Sequence, residues 1–246
     1  MRELILSDIT VMGQGYCVIG LERIGPERFR SVRPMPPTGY AWREPFPYKR
    51  GDCVRFRPTT AGMAPAPHVE DQPCAGLEAA GRTLDEGELI ASLRKAEVAV
   101  DLEHLFGCEP RASTRGGKAV WVSSADARRS ICGCEYHNIW FRIYVESEDF
   151  KLRARLSLGA NERLESIPVV DRDWREFATR LIESSGGLAE ATEAERVLNH
   201  AVRPRLLASP HRFLRIGLPR PSGDELCWLM LDSLFPQPRN SWLPEP

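Results

Sequence analysis

A regular alternation of apolar and other side chains marks residues 138–158. Apolar residues occupy every second position from 139 to 145, and they do so again from 152 to 158, after the acidic turn at 146–149. Successive side chains of a strand point to opposite faces, so this pattern predicts a β-hairpin with one apolar face. The other face is aromatic and cationic, and its two strands carry Trp140, Arg142 and Tyr144 beside Lys151, Arg153 and Arg155.

Shorter strand-like segments occur in both halves of the chain. They lie at residues 3–11, 16–21, 28–33 and 53–57, then at 119–122, 130–136, 167–170, 212–218 and 226–235. Short strands at this spacing are typical of small barrels or sandwiches. We therefore predict a mainly β protein with α elaborations, which forms two small β-barrels.

A helical segment is predicted between the two groups of strands. Residues 58–76 are rich in Pro, Ala and Gly and predict a linker. Thr83 and Glu86 have the spacing of a capping box, and the helical apolar pattern that follows extends to Val100. The predicted domains are an N-terminal barrel at 1–76, an acidic helical connector at 77–110 and a second barrel with inserted helices at 111–246.

Two further helices are predicted inside the second barrel, at 174–184 and at about 189–202. Asp171 or Asp173 would cap the first of them. Together with Glu176, these carboxylates would also suit a metal-dependent nuclease. Their position at a helix start favours capping and stabilisation of the helix dipole.

Composition and charge narrow the function classes. The 246 residues are 42% hydrophobic and 27% charged, as in ordinary globular proteins, and no apolar run approaches the roughly 18 residues of a membrane span. The N-terminus becomes polar too early for a signal peptide, which predicts a cytoplasmic protein without membrane association. Seven scattered cysteines in that setting predict reduced, mostly buried thiols.

The net charge of −1 is unevenly distributed. Residues 1–60 and 111–158 each carry +4, whereas residues 61–110 carry −7 and residues 159–246 carry −2. Two basic, strand-rich regions are thus separated by an acidic one. The first basic region places Arg55 and Arg57 on one face of its last strand.

The outer face of the hairpin is the leading candidate site. Aromatic rings beside guanidinium groups can stack bases and pair with phosphates, as on single-strand binding surfaces. The simpler alternatives are a solvated outer face or a face covered by another element. A second candidate surface is the aromatic, proline-rich loop at 34–49, which either binds a partner or caps its own barrel.

Other candidate chemistry is weaker. Zinc could be held by a group of Cys and His side chains, although their spacing is unusual and buried thiols explain the cysteines as well. Its members are His104, Cys108, Cys132, Cys134 and His137. Arg220 lies between two prolines and would bind either a carboxylate of its own chain or a phosphate. The run at 115–118 favours a hairpin turn over a phosphate loop. We expect no catalytic residues, metal or cofactor.

Three short stretches, in this order along the chain, resemble the bacterial dual OB-containing domain family. They are Ser7-Asp8-Ile9-Thr10 with Ser31-Val32-Arg33-Pro34; Ile167-Pro168-Val169-Val170-Asp171 with Trp174; and Ile216-Gly217-Leu218-Pro219-Arg220-Pro221 with Cys227-Trp228-Leu229. The resemblance covers nearly the whole chain. It implies two OB-like barrels and, by analogy with other OB-folds, nucleic-acid binding, and it supplies no catalytic residues.

The sequence therefore predicts a non-enzymatic protein that binds single-stranded DNA or RNA, as an accessory subunit of a larger bacterial system. The binding residues are predicted to be Trp140, Arg142, Tyr144, Lys151, Arg153, Arg155, Arg55 and Arg57. The alternatives are a protein-interaction module that holds a partner enzyme and, with less support, a zinc-binding domain.

Overall fold

Five strands of the N-terminal third close into a β-barrel. The computed structural model describes residues 1–60, 64–96, 98–112, 120–159, 162–221 and 225–243. The first six strands are β1 (Arg2–Met12), β2 (Gly15–Gly25), β3 (Arg28–Met35), β4 (Trp42–Arg43), β5 (Asp52–Pro58) and β6 (Asp71–Thr83). Antiparallel pairings join β1 to β2 and β5, β2 to β3, and β5 to β6. The parallel pairing of β3 with β6 completes the ring.

The inside of the barrel is filled by the apolar side chains that alternate along its strands. They are Leu4, Leu6, Val18, Val32, Val54, Phe56 and Cys74. The short strand β4 lies outside the ring and pairs with the start of β2. Gly15 permits that pairing, because a Cβ at this position would lie 2.4 Å from the carbonyl oxygen of Trp42.

The strand β6 is missing from the sequence prediction, which placed a linker at 58–76. Residues 71–76 of that linker belong to β6, and the strand continues through the proposed domain boundary to Thr83. Its sequence includes Pro73, Gly76 and Gly81, and residues 75–83 are half-buried or exposed on both faces, so no apolar alternation marks the strand. Pairing with β3 and β5, rather than local preference, defines it.

The helix α1 (Glu86–Leu93) follows the barrel directly. Its N-cap is Asp85, whose side chain accepts from the backbone N–H of Glu88, while the Glu88 carboxylate accepts from the Asp85 N–H. The capping box predicted from Thr83 and Glu86 was therefore wrong by two residues. The helix ends at Leu93, so Val100 lies beyond it and is 85% exposed.

The described residues of the second half form nine strands in three small sheets. The strands are β7 (Arg111–Ala112), β8 (Val120–Ser123), β9 (Ile131–Glu135), β10 (Asn138–Glu146), β11 (Asp149–Ser157), β12 (Arg163–Pro168), β13 (Phe213–Gly217), β14 (Leu226–Trp228) and β15 (Met230–Phe235). The sheets have the orders β10-β11-β12, β15-β13-β9 and β14-β8-β7. Within the described part of the chain, the strand pairings close only the N-terminal ring, so the second barrel stays a prediction.

Both helices predicted in this half are present. The helix α2 (Arg172–Ser184) has Asp171 as its N-cap, and the Asp171 carboxylate accepts from the N–H groups of Asp173 and Trp174. This confirms the capping interpretation. The second predicted helix is α3 (Ala191–Val197), which continues as a π-helical turn (Leu198–Val202) and then as α4 (Arg203–Ala208). Trp174 is fully buried and stacks on Phe141 with 5.4 Å between ring centroids. Across the described ranges, no helix is both long and apolar enough to cross a membrane.

The two halves share a continuous interior. Phe213 and Phe235 pack with Ile5 and Leu89 in one apolar cluster. Arg215, only 2% exposed, extends from β13 into the barrel region. Its guanidinium donates to Ser7 Oγ at 3.3 Å and Ser31 Oγ at 2.7 Å, and lies 3.5 Å from a carboxylate oxygen of Asp8.

A second buried carboxyl group belongs to the same interior. Asp232 approaches the backbone so closely that a Cβ at Gly217 would lie 2.0 Å from its Oδ2. Burial, and then the negative charge of Asp8, raise the pKa of Asp232 to about 8, despite the opposing charges of Arg33 and Arg215. Burial likewise raises the pKa of Asp171 to about 6, against the attraction of Arg50.

These raised pKa values predict a pH-dependent stability. Both carboxyl groups bind a proton more tightly in the folded protein than in the unfolded chain, whose reference value is 3.8. Their contribution to the free energy of unfolding is therefore greatest below about pH 4. It falls by up to about 1.4 kcal/mol per pH unit for each group, until about pH 6 for Asp171 and until about pH 8 for Asp232.

The substitution Asp232→Asn should remove the part of this pH dependence that the carboxyl group of Asp232 contributes. Urea unfolding at several pH values would give the free energy of wild type minus that of the variant. We expect this difference to fall steadily between pH 4 and 8, with the variant gaining relative stability in the upper part of the range. A difference that does not vary with pH would show that Asp232 ionises in the folded protein as it does in the unfolded chain.

Candidate nucleic-acid interface

The predicted hairpin is formed by β10 and β11 in the predicted register. Trp140 pairs with Arg155, Arg142 with Arg153 and Tyr144 with Lys151. The opposite face, which includes Ile139, Phe141, Leu152 and Leu156, is buried in the main hydrophobic core. The turn is tight, with Glu146 paired to Asp149 and Ser147 in a left-handed conformation at φ 56°. The side-chain alternation thus predicted the hairpin and its two faces correctly, except at Val145, which lies next to the turn and is 46% exposed.

An open groove of about 630 Å³ runs between the outer face of this hairpin and α3. Five of the six hairpin residues that the sequence singled out line it: Trp140, Arg142, Tyr144, Arg153 and Arg155. Lys151 is outside the lining and forms an ion pair with Glu146 near the turn. The structure therefore brings most of the predicted face into one concave surface.

The helical segment covers the edge of β10 rather than its face. One carboxylate oxygen of Glu195 accepts from the backbone N–H of Ile143 at 2.9 Å. Asn199 binds both the N–H and the carbonyl of Phe141, each at 2.9 Å. Arg203 donates to the carbonyl of Ile139 at 2.8 Å. We call these three helical residues, Glu195, Asn199 and Arg203, the edge ladder.

The edge ladder is the part of the site that sequence reasoning missed. Its members are four residues apart, which places them on one side of a helix, and this spacing is visible in the sequence. Their partners are backbone groups at alternate positions of a strand, which no side-chain pattern reveals. The ladder supplies hydrogen bonds that an edge strand otherwise lacks. On the outer face of the hairpin its members contact Trp140 and Arg142, and the rest of that face stays open.

The charges in the groove are partly neutralised. Arg142 lies 3.0 Å from a carboxylate oxygen of Glu195, and Arg155 lies 4.0 Å from one of Glu165. Arg153 donates to the carbonyl of Ser166 at 2.7 Å and is half-buried. The lining contains four arginines, of which Arg196 is the fourth, and two glutamates, so positive charge predominates.

The two aromatic residues of the groove, Trp140 and Tyr144, differ in solvent exposure. Trp140 is half-buried, and the Cζ atom of Arg203 lies 3.9 Å from its ring centroid, in cation–π contact. The same tryptophan also lines a smaller neighbouring concavity of about 200 Å³, which includes Arg163. Tyr144 is 48% exposed near the hairpin tip. The structure thus presents one half-buried and one exposed ring along the groove.

Arg55 and Arg57 are not part of this site. Both are exposed on β5, in the N-terminal barrel, and Arg55 lies 3.9 Å from Glu3 on the neighbouring strand. They belong to a different sheet from the hairpin. The basic character of the first sixty residues therefore does not add to the groove.

The possible zinc ligands do not form one group. His104 is exposed and pairs with Asp101, His137 is exposed, and Cys132 and Cys134 are buried in β9. Among the residues whose placement is described, no three His, Cys, Asp or Glu side chains are arranged to hold a metal ion. The run at 115–118 lies outside the described residues.

The aromatic loop mostly packs against its own barrel. Phe46 contacts the rings of Tyr16, Trp42 and Tyr48. Trp42 also donates from its indole nitrogen to the carbonyl of Pro34 at 2.9 Å. These contacts support the capping alternative for this loop.

Two residues at the edge of that loop form a separate contact. Tyr40 is 56% exposed, and its ring is covered by the guanidinium of Arg220. Arg220 also binds the carboxylate of Asp71, which is the intramolecular alternative for this arginine.

Comparisons with known proteins give no relatives: no family model matches the chain, and neither a curated protein nor a solved structure is significantly similar to it.

The edge ladder generates a stability prediction. Asn199→Ala leaves the N–H and carbonyl of Phe141 without their side-chain partner, so the free energy of unfolding should fall by about 2–3 kcal/mol. Glu193→Ala, on the same helix, removes only an exposed pair with Arg196 and should change it by less than about 0.5 kcal/mol. Chemical denaturation of both variants tests this. Equal stability of the two would contradict the structural role given to Asn199.

Proposed function

We propose that the protein binds single-stranded nucleic acid in the groove between the β10–β11 hairpin and α3, and that it does so without catalytic activity of its own. The observation that carries the proposal is the alignment of Trp140 and Tyr144 with Arg142, Arg153 and Arg155 along one open groove. Aromatic faces accept any base, and guanidinium groups bind phosphates, so this combination suits a flexible single strand better than a rigid duplex.

The charge pattern of the groove determines how much phosphate contacts should contribute to the binding affinity. Glu165 and Glu195 already pair with two of its arginines, and the whole chain is close to neutral. Binding therefore relies on stacking more than on phosphate contacts. With two or three phosphate contacts, log K should decrease with log salt with a slope of about −2 for a single strand.

The architecture of the barrel supports the same function class. Its ring order β1-β2-β3-β6-β5, with β3 parallel to β6, matches the strand order of an OB-fold when the short β4 is left out. OB-folds bind oligonucleotides in many proteins, although fold alone does not define function. We therefore include in the proposal what the sequence resemblance implies. The barrel would be one of two OB-like barrels in a bacterial dual-OB protein, and that protein would act as an accessory subunit.

Replacing Trp140 tests the proposal directly. We expect Trp140→Ala to weaken binding of a fluorescent single-stranded oligonucleotide by about 1–3 kcal/mol, or roughly 5- to 150-fold, because a stacked base loses its platform. Anisotropy titrations with single-stranded DNA, single-stranded RNA and duplex DNA at two salt concentrations would measure this.

Trp121→Ala is the matched control. Trp121 is also half-buried and also lies beneath an arginine, since the Cζ atom of Arg111 is 5.4 Å from its ring centroid, but it belongs to β8, outside the groove. We expect this variant to bind like wild type. Wild-type protein that binds none of the three ligands at low salt would refute the proposal, and in that case purification of a stoichiometric protein partner would favour the interaction-module alternative.

A further inference from the structure

A smaller pocket of about 200 Å³ lies at the open end of the β10–β11 hairpin, away from its turn. We call it the end pocket. Its lining residues are Asn138, Trp140, Arg155, Leu156, Ser157 and Arg163. Trp140 and Arg155 also line the groove, so the end pocket adjoins the groove at these two residues.

The strand register places the polar lining residues on one face of the sheet. Ser157 pairs with Asn138 on one side and with Arg163 on the other, so these three residues form a row across β10, β11 and β12. Paired residues of neighbouring strands project to the same side, and so do residues two apart along a strand. The row therefore lies on the outer face of the sheet, together with Trp140 and Arg155. Both arginines are exposed on this face.

Arg155 and Arg163 are diagonal neighbours on adjacent strands, because Arg155 precedes the pair of Ser157 and Arg163 by two residues. Diagonal neighbours lie about 7–8 Å apart, which is within reach of long side chains. A guanidinium group presents a planar set of donors that matches the oxygens of a phosphate. Two such groups can therefore bind one phosphate from two sides.

The positive charge of the end pocket is only weakly neutralised. Glu165 lies 4.0 Å from Arg155, but both side chains are exposed, so their pair is weak, and Glu165 lines the groove rather than the end pocket. Among the described residues, none forms an ion pair or a hydrogen bond with the Arg163 side chain. The carboxylate of the adjacent Glu162 accepts instead from the N–H of Leu102 at 3.4 Å.

A third guanidinium group borders the end pocket. Arg203 donates through Nη2 to Oδ1 of Asn138 at 2.7 Å, and it also covers the ring of Trp140. Its charge adds to those of Arg155 and Arg163. The surroundings of the end pocket therefore favour an anion with more than one negative charge.

The size of the end pocket limits its occupant. Its volume of about 200 Å³ equals that of about seven water molecules. This is enough for a phosphate group with part of its hydration, and too little for a complete nucleotide. A single strand that occupies the groove can therefore place a phosphate in the end pocket but cannot continue through it.

We propose that the end pocket binds a terminal phosphate of the single strand whose bases stack in the groove, an inference that rests on the proposed function. A terminal phosphate is a monoester with a charge of about −1.5 to −2 at neutral pH, whereas a phosphate within the strand is a diester with about one negative charge. The last base stacks on Trp140, and its phosphate lies between Arg155 and Arg163. The protein therefore prefers strands with a phosphorylated end.

Oligonucleotides with different ends test this preference. Three single strands of one sequence, labelled on an internal base, carry a 5′ phosphate, a 3′ phosphate or hydroxyl groups at both ends. A longer strand with hydroxyl ends, matched in total charge to the phosphorylated ones, controls for non-specific attraction. Anisotropy titrations at neutral pH and one salt concentration give the four dissociation constants, with DNA or RNA according to which binds more tightly.

We expect one of the two phosphorylated strands to bind about tenfold more tightly than the strand with hydroxyl ends, because its phosphate gains charge-assisted hydrogen bonds. The end that gives this gain identifies the direction of the strand in the groove. Equal affinity for the phosphorylated and the charge-matched strands would overturn the inference and leave the proposed function intact. No binding of any strand would refute the proposed function and this inference with it.

The substitution Arg163→Ala locates the phosphate, because Arg163 lines the end pocket and does not line the groove. We expect this variant to lose the preference for the phosphorylated end. The readout is the ratio of two affinities within one variant, so a change in stability affects both measurements alike.

Arg180→Ala is the matched control. Arg180 is an exposed arginine of α2 that lines neither space, so this variant loses the same charge and should keep the preference. A preference that persists undiminished in Arg163→Ala would place the phosphate elsewhere and refute the assignment. An equal loss in both variants would also refute it, because it would show an effect of total charge.

Discussion

The carboxylate of Asp171 holds together the parts that build the groove. It accepts from Arg50 of the barrel at 2.9 Å, from the first turn of α2, and from the backbone N–H of Leu234 in β15 at 2.9 Å. An isolated buried carboxylate would be strongly unfavourable, and each of these donors offsets part of that cost. Because the buried carboxylate is stabilised only when all of these donors surround it, its hydrogen bonds fix the barrel, α2 and the sheet that contains β15 relative to one another.

The position of the hairpin follows from this constraint. Trp174, three residues after Asp171, stacks on Phe141 of β10, so the helix that Asp171 begins also supports the inner face of the hairpin. The outer face is left for the groove. The polar interaction in the interior thereby positions α2 against the face of the hairpin that the side-chain alternation makes apolar.

The elements that the sequence predicted well are those in which the signal is local. The hairpin alternates over both strands, the cap of α2 stands next to its helix, and strand patterns such as that of β1 are continuous, so each was located to within a few residues. The strand β6 was missed because its pairing partners, β3 and β5, define it and its own residues do not.

In the candidate site, too, the features with a local sequence signal were predicted and those that depend on distant contacts were not. Its aromatic and cationic residues are visible in the alternation of the hairpin, and the register places them as predicted. The groove itself depends on a helix more than 50 residues further along the chain, whose contacts are with backbone atoms. Side-chain patterning carries no record of such contacts, so the concave shape, and the pairing of Arg142 with Glu195, required the three-dimensional structure.

The edge ladder also bears on self-association. A strand with free N–H and carbonyl groups is a template for pairing with another chain, and here those groups are occupied by three helical side chains. One of the three, Arg203, simultaneously covers the ring of Trp140. A molecule that displaced Arg203 from this ring would also loosen the cover of the strand edge. By thermodynamic linkage, occupancy of the groove and the tendency of the chain to pair with copies of itself are then coupled quantities.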